Sequence, residues 1–343
     1  PRPILSEVSA STGDETAGDG SAVFNISPAG DILFRRGKDL TQQGYLATVD
    51  MNGEVTRMDA PEATYFYPRV SPHGRTAAVS TARSGRNEMW LYDLVDGSSS
   101  RLVSTEGVTT LGFWSPDGEF LYFAQGGWSA RGLDRIFVAG GGVPEEVLRD
   151  GHDLYPHDCS SDGRWLFINR HTESTSWDIM VYDLETHPDF PLDPANLEPL
   201  VASPAQEGSP RLSPDGRWLA YVTFETGNRE VYLADFTNPS RRWMISANGG
   251  DDPIWDDDSQ RVFFLNGERV MAVDINSGQG GLRPSKPYEL FEVAISLRSD
   301  IWTYDKIFGR DEFIMVMKSE EQREPWPGDL VYIQDWRAGW AER

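Results

Sequence analysis

Cys159 is the only cysteine in 343 residues, which excludes a disulfide framework and a thiolate metal cluster. A chain of this length can bury a core that needs no covalent staples, so the count leaves the compartment open. Lysine is almost as scarce: Lys38, Lys286, Lys306 and Lys318 are the only four, and the other basic residues are arginine. Basic residues number 31 against 54 acidic ones, a formal charge of -23. Such a surface repels nucleic acid and anionic membranes and suits cationic partners or divalent metal. No apolar run of about 18 residues is present, so no transmembrane helix and no membrane insertion of this segment are expected. A signal-peptide pattern is absent, as is convincing amphipathic helical periodicity. The first residue is Pro1, which leads us to expect a processed product or an excised piece.

What the sequence does contain is a repeat. Turn motifs begin at Ser27 (SPAG), Ser71 (SPHG), Ser115 (SPDG), Ser160 (SSDG) and Ser213 (SPDG), with worn copies at Asp256 (DDDS) and Lys306 (KIFG). Proline presets the first turn position, Asp suits the second and Gly accepts the left-handed position that closes the turn. A short strand ending in an apolar residue precedes most turns, and a strand rich in aromatic and β-branched residues follows, as in Trp218–Val222. A third strand closes on Asp50, Asp93, Asp183, Asp235, Asp274 and Asp335, and a fourth follows in all but the last copy. Four antiparallel strands per unit of about 45 residues define a propeller blade. The expectation is an all-β fold: a seven-bladed β-propeller of four-stranded antiparallel blades, one domain over residues 1–343. The last copy lacks a fourth strand, so Pro3–Val8 within residues 1–8 is expected to close the ring and hide two sheet edges. Residues 9–21 read as a linker, and Thr186–Asn196 as a proline-rich surface loop, a type of segment that carries function more often than strands do.

The runs SPDGRWLAYV at 213–222 and REVYLADF at 229–236 resemble the TolB-like β-propeller repeats. So do Gly249-Gly250 with Pro253 and Trp255, Met271–Asp274, Pro287–Phe291 and Tyr304-Asp305. The resemblance runs from about residue 21 to the end. It is closer still to the propeller region C-terminal to bacterial serine/threonine protein kinases, usually beyond a membrane span. It implies a non-enzymatic sensor or interaction domain of a bacterial signalling kinase, placed in the periplasm or otherwise outside the cytoplasm. No kinase glycine-rich or catalytic loop is present, so kinase activity cannot reside in this segment. The alternative is a propeller accessory or catalytic domain of a prolyl-oligopeptidase-like peptidase or of a metal-dependent polysaccharide lyase such as the oligogalacturonate lyases.

No catalytic residue is assigned: a G-x-S-x-G elbow is absent and no α/β pattern follows the repeats. Two positions before each turn stand Asn25, Arg69, Phe113, Asp158, Arg211, Ile254 and Tyr304. Their neighbours are apolar, so strand alternation turns this set toward the axis. Arg69, Asp158, Arg211 and Tyr304 are therefore the candidate channel residues, with mutual ion pairing as the bland reading and an anionic ligand or partner side chain on the two arginines as the sharp one. For metal, His152, His157, Asp251 and Asp252 are weak candidates, with Ca²⁺ possible at the aspartates and no cofactor otherwise expected. His73, His171 and His187 and the carboxylates of 256–258 read as ordinary loop and turn residues. The Asp closing each third strand reads as a turn acceptor. Trp114, Trp165, Trp218 and Trp255 recur at packing positions, whereas Trp128, Trp177, Trp326 and Trp340 are candidates for a recognition surface. The expected partner is a protein or small ligand at a propeller face or the central channel, bound by a monomer.

Overall fold

The shared turn builds the fold locally. In the fifth copy, Ser213 Oγ accepts the Trp218 N–H at 2.9 Å and donates to Asp215 at 2.6 Å, and Gly216 closes the turn at φ 73°. A side chain other than glycine would be strained in that left-handed backbone. Ser71, Ser115 and Ser160 accept the N–H groups of Thr76, Phe120 and Trp165 in the same way. The turn aspartates and the third-strand aspartates divide the remaining donors. Asp93 accepts the N–H groups of Val95 and Asp96, and Asp183 those of Glu185 and Thr186. Arg75 and Arg164, just past their turns, reach across to Asp93 and Asp183 and hold each carboxyl down to about 2.

A computed structural model of the chain describes residues 24–26, 31–35, 43–83, 86–105, 109–125, 132–140, 142–173, 175–278, 281–296, 302–319 and 330–333. Two compact units are formed, one over Gly44–Met317 and the other over Pro1–Gln43 with Lys318–Arg343. The larger unit is a β-propeller of six blades. Blade 1 has strands Thr64–Val70, Thr76–Arg83, Arg86–Asp93 and Ser99–Thr105. Blade 2 has Thr109–Trp114, Phe120–Gln125, Leu133–Phe137 and Glu145–Leu148. Blade 3 has Leu154–Cys159, Trp165–Thr172, Ser176–Asp183 and Glu198–Val201. Blade 4 has Glu207–Leu212, Trp218–Thr223, Glu230–Asp235 and Asn238–Met244. Blade 5 has Asp251–Trp255, Arg261–Asn266, a long Arg269–Gly278, and two partners of that strand, Gly281–Pro284 and Tyr288–Glu292. Blade 6 joins the two ends of the unit: Tyr304–Lys306 and Glu312–Lys318 pair onward to Gly44–Asp50 and Val55–Arg57.

Six blades, not seven, follow from seven turn motifs, and the ring is not closed by an N-terminal strand at residues 1–8. Residues 1–8 and 9–21, the Ser27 turn and Asp335 lie outside the described residues. The third and fourth strands of the first copy complete the blade begun by the last copy. The first two strands of the first copy, Phe24–Ile26 and Ile32–Arg35, pair instead with Leu330–Ile333 in a three-stranded sheet of the smaller unit. A turn motif specifies a hairpin, but which hairpins share a sheet is a long-range choice that the motif does not encode. The closing seam is tight at Gly44, where a Cβ would lie 2.5 Å from the Met317 carbonyl oxygen.

The proline-rich insertion is not a free surface loop. It leaves blade 3 and lies along the outer edge of blade 2, where the Leu192 N–H donates to the Val147 carbonyl at 2.7 Å. Leu192 is buried, Phe190 covers the Arg135 guanidinium at 4.0 Å, and Asp193 caps a short 3-10 turn, Pro194–Asn196. A strap of this kind occupies a sheet edge that would otherwise accept another chain. Leu192→Ala is expected to cost about 2–4 kcal/mol in urea unfolding; a change below about 0.5 kcal/mol would show that the strap is not anchored there.

Candidate functional site

The inner strands of blades 1, 3, 4 and 5 each carry a bulge just before the turn. The register slips between Phe66 and Arg69, Pro156 and Asp158, Gly208 and Arg211, and Asp251 and Ile254. Tyr67, Ser209 and Asp252 precede a proline and take φ of 49°, 53° and 49°. Strained left-handed residues at a bulge re-aim the side chains that follow. The residues that follow are Arg69, Arg211 and Ile254, two positions before their turns.

Arg69, Asp158, Arg211 and Asp305 converge from blades 1, 3, 4 and 6. Arg211 lies 3.4 Å from Asp158 and 4.0 Å from Asp305. Both guanidinium carbons, of Arg69 and of Arg211, stand 4.3 Å from the centre of the Trp302 ring. Blades 1 and 4 are opposite one another in a six-membered ring, so their side chains meet on one indole only at the axis. The channel is thus plugged by a cation–aromatic stack. Arg69 also donates to the carbonyls of Gly112 and Pro68, at 2.7 and 3.0 Å. Burial, with Arg211 beside it, pulls its guanidinium down to about 9. Asp158 accepts the Leu212 N–H, and Asp305 the Val70 N–H, so each carboxylate ties its blade to the next.

Arg69, Asp158 and Arg211 stand where strand alternation places them, and Tyr304 does not. The last turn starts at Ile307, whose N–H bonds to Glu312 as Ser71 does to Thr76. The register is therefore one residue later than the KIFG match suggests, and Asp305 takes the axial position. Tyr304 is fully buried and donates its hydroxyl to the Asp252 carbonyl at 2.7 Å. Phe113 and Ile254 are buried and bring no charge to this position, although Asp252, two residues before Ile254, acts on Arg69. Sequence reasoning missed Asp305 and Trp302, and also Lys306, which sits buried where other copies hold an apolar residue. Its ammonium donates to the carbonyls of Ile307 and Arg310 and lies 3.6 Å from Asp256. Trp302 has no counterpart in the other copies, so periodicity could not have found it.

On the face that carries the turn motifs, the axial residues floor a hollow of about 230 Å³ lined by Asp158, Cys159, Arg211, Asp305, Lys306 and turn residues including Asp257 and Phe308. Within it, Arg211 Nε and Nη2 are sealed from solvent without a hydrogen-bond partner. Burial raises the Asp158 carboxyl, against lowering by Arg211, and pushes the Cys159 thiol well up. The Arg211 N–H groups lie between the carboxylates of Asp158 and Asp305, closed in beneath the hollow. The Cys159 thiol donates to the Trp114 carbonyl at 3.4 Å, and its burial disfavours the thiolate.

The metal candidates do not come together. His152 faces Asp150 and Arg170, Asp251 pairs with Arg229, and Asp252 is buried behind Tyr304. Among the described residues, no three His, Cys, Asp or Glu side chains are grouped to hold a metal ion. His157 is near the axis, its ring 6.3 Å from Trp302 and its Nδ1 sealed without a partner. Burial, then the charges of Arg69 and Arg211, hold this imidazole well below its ordinary value. The unfolded chain takes up a proton near pH 6.5 that the folded one refuses, so the associated stability is complete above that pH and lost as pH falls toward the folded value. Stability is expected to drop by up to about 1.4 kcal/mol per pH unit below about pH 6. His157→Gln should remove that slope in urea melts at successive pH values; an unchanged slope would assign the effect elsewhere.

Trp114 and Trp255 donate their indole N–H groups to the carbonyls of Arg69 and Arg211, at 2.9 and 3.0 Å, and so staple neighbouring blades. Trp177 lies half-buried between Tyr155 and His171. Trp128, Trp326 and Trp340 are outside the described residues, and of Asn25 only the backbone is described.

The fold defines the class: a β-propeller with a plugged axis and a polar hollow at one mouth. Comparison with known proteins narrows it to a TolB-like β-propeller fold. A solved structure from Agrobacterium tumefaciens, provisionally assigned as TolB, superposes with a TM-score of 0.59 at 17% identity, covering 80% of this chain and 98% of that one. The Tol-Pal system protein TolB of Xanthomonas campestris is 42% identical over 57 residues, 17% of this chain and 13% of that protein. The uncharacterized protein Atu1656 of Agrobacterium fabrum is 25% identical over 207 residues, 58% of this chain and 68% of that protein. No family model matches the chain. Among the described residues, no helix is long and apolar enough to cross a membrane.

Proposed function

We propose that this chain is a non-enzymatic binding propeller that takes a cationic segment of a protein partner at the axial hollow on the turn-motif face. The observation that carries this reading is the charged floor of the hollow, where the Arg211 guanidinium is set between Asp158 and Asp305 and the carboxylates outnumber the cations. The lining holds three carboxylates, Asp158, Asp257 and Asp305, against two cations, Arg211 and Lys306. The chain as a whole carries -23. A partner's basic side chain is drawn in by that field. An anion held by Arg69 and Arg211 is the weaker reading, because Arg69 is committed to two carbonyls and to Trp302. The Xanthomonas relative is named for the Tol-Pal system, which favours assembly with other proteins over turnover.

Affinity capture with the parent chain, followed by titration of the recovered partner, tests the site. Arg211→Ala and Asp305→Ala should each weaken binding by about tenfold or more, as loss of a desolvated charged contact does. Parent-like affinity in both variants would sink the reading, and so would turnover of peptides or uronate oligomers by the purified chain. That the propeller is the sensor domain of a kinase, displayed outside the cytoplasm, rests on the sequence resemblance. An immunoblot band far above 38.4 kDa that also labels with an ATP analogue would support it. A band at that mass would remove it.

A further inference from the structure

The opposite face holds a second hollow, independent of the axial one. It is an open depression of about 450 Å³ between blades 4 and 5, where the loops after Trp218–Thr223, Asn238–Met244 and Arg261–Asn266 meet. Its walls include three asparagines, Asn228, Asn248 and Asn266, together with Arg229 and Asp251. Arg229 Nε and Asp251 Oδ2 are 2.8 Å apart, so the two charges cancel within the wall. On a chain of charge -23, this is a patch of neutral hydrogen-bonding groups.

The hollow is built rather than incidental. Buried Glu230 accepts the Gly249 N–H at 3.0 Å and the Ser246 hydroxyl, and the Gly250 N–H donates to the Arg229 carbonyl at 3.0 Å. Asn248 and Gly249 hold φ of 64° and 105°, which turns the loop sharply at the wall. A Cβ on Gly250 would lie 2.7 Å from Ser246 Cβ, so the loop cannot be closed more tightly. Asn228 and Asn248 are exposed, and Asn266 is half-buried with its amide only 3.4 Å from the Asn248 carbonyl oxygen. Each amide presents a donor and an acceptor in one plane.

We propose that this hollow binds a neutral saccharide. Adjacent hydroxyls of a sugar each donate and accept, which matches amides, whereas a free anion meets the acidic field and a free cation finds the one wall carboxylate already paired. An open depression of about 450 Å³ has room for one face of a pyranose ring or two, its hydroxyls on the amides and its other face in water.

Saturation-transfer NMR followed by calorimetry, on the full chain, tests this with glucose, galactose, N-acetylglucosamine and their β-linked disaccharides. Glucuronate and an acetylated, amidated alanine dipeptide serve as the charged and peptide probes. At least one neutral sugar should bind with a dissociation constant in about the millimolar range or tighter. The double variant Asn228→Ala/Asn266→Ala should weaken it by about tenfold or more, since each amide removes one or two hydrogen bonds. Asn248→Gly, which keeps the left-handed backbone, should also weaken it at an unchanged melting temperature. The proposal is overturned if no neutral sugar binds up to about 20 mM. It is equally overturned if binding survives both variants, or if glucuronate or the dipeptide binds as tightly as the best sugar.

Discussion

Removing residues 1–57 should abolish cooperative unfolding of the propeller, whereas a chain lacking only residues 1–43 provides the reference. Gly44–Asp50 and Val55–Arg57 supply the third and fourth strands of blade 6. Leu46, Ala47 and Val49 are fully buried in it, against a sheet whose Phe313, Ile314 and Met315 are equally buried. Each large side chain withdrawn from water contributes about 1.5–3 kcal/mol, and whole domains are stable by only about 5–15 kcal/mol. The shorter chain would therefore lose more than it has to lose. It would also expose Glu312–Lys318 as an apolar sheet edge open to a second chain. Circular dichroism melts and light scattering are the measurements. A thermal transition within a few degrees of the reference would show that the ring does not depend on this seam.

Trp302→Ala should cost about 3–5 kcal/mol, among the largest losses from any single truncation. The indole is buried on the axis and both Arg69 and Arg211 lie on its ring. Its removal opens a cavity and leaves two desolvated guanidinium groups facing one another without the aromatic face between them. Trp302→Leu separates the two contributions: it refills part of the space but not the ring quadrupole, so it should recover some stability and remain about 1–2 kcal/mol below Trp302→Phe. Urea unfolding of the three variants decides this. Equal stability of the Leu and Phe variants would reduce the stack to packing, and a loss below about 1 kcal/mol for the Ala variant would mean that the axis is not held by Trp302.

Much of the blade was legible in the sequence. The serine hydroxyl bonds, the glycine turn and the aspartate closing the third strand recur because each meets backbone N–H groups a few residues along the chain. Arg69, Asp158 and Arg211 could be read from strand alternation, since the repeat supplied their register. Where the motif is worn, at 306, alternation alone points to Tyr304 and the true register, one residue later, to Asp305. Prolines mark where the chain leaves blade 3 but not where it docks, so the sequence does not show the strap at Leu192.

The sequence by itself determined the hairpins, their spacing and the all-β class, through turn chemistry and alternation that act over a few residues. Only the tertiary structure decided that seven hairpin motifs make six blades, that the first copy's strands divide between two sheets, and that Trp302 fills the axis. Those outcomes depend on pairings between residues far apart in the chain, such as Gly44 against Met317. The free energy of burying whole sheet faces, rather than any local motif, selects among them.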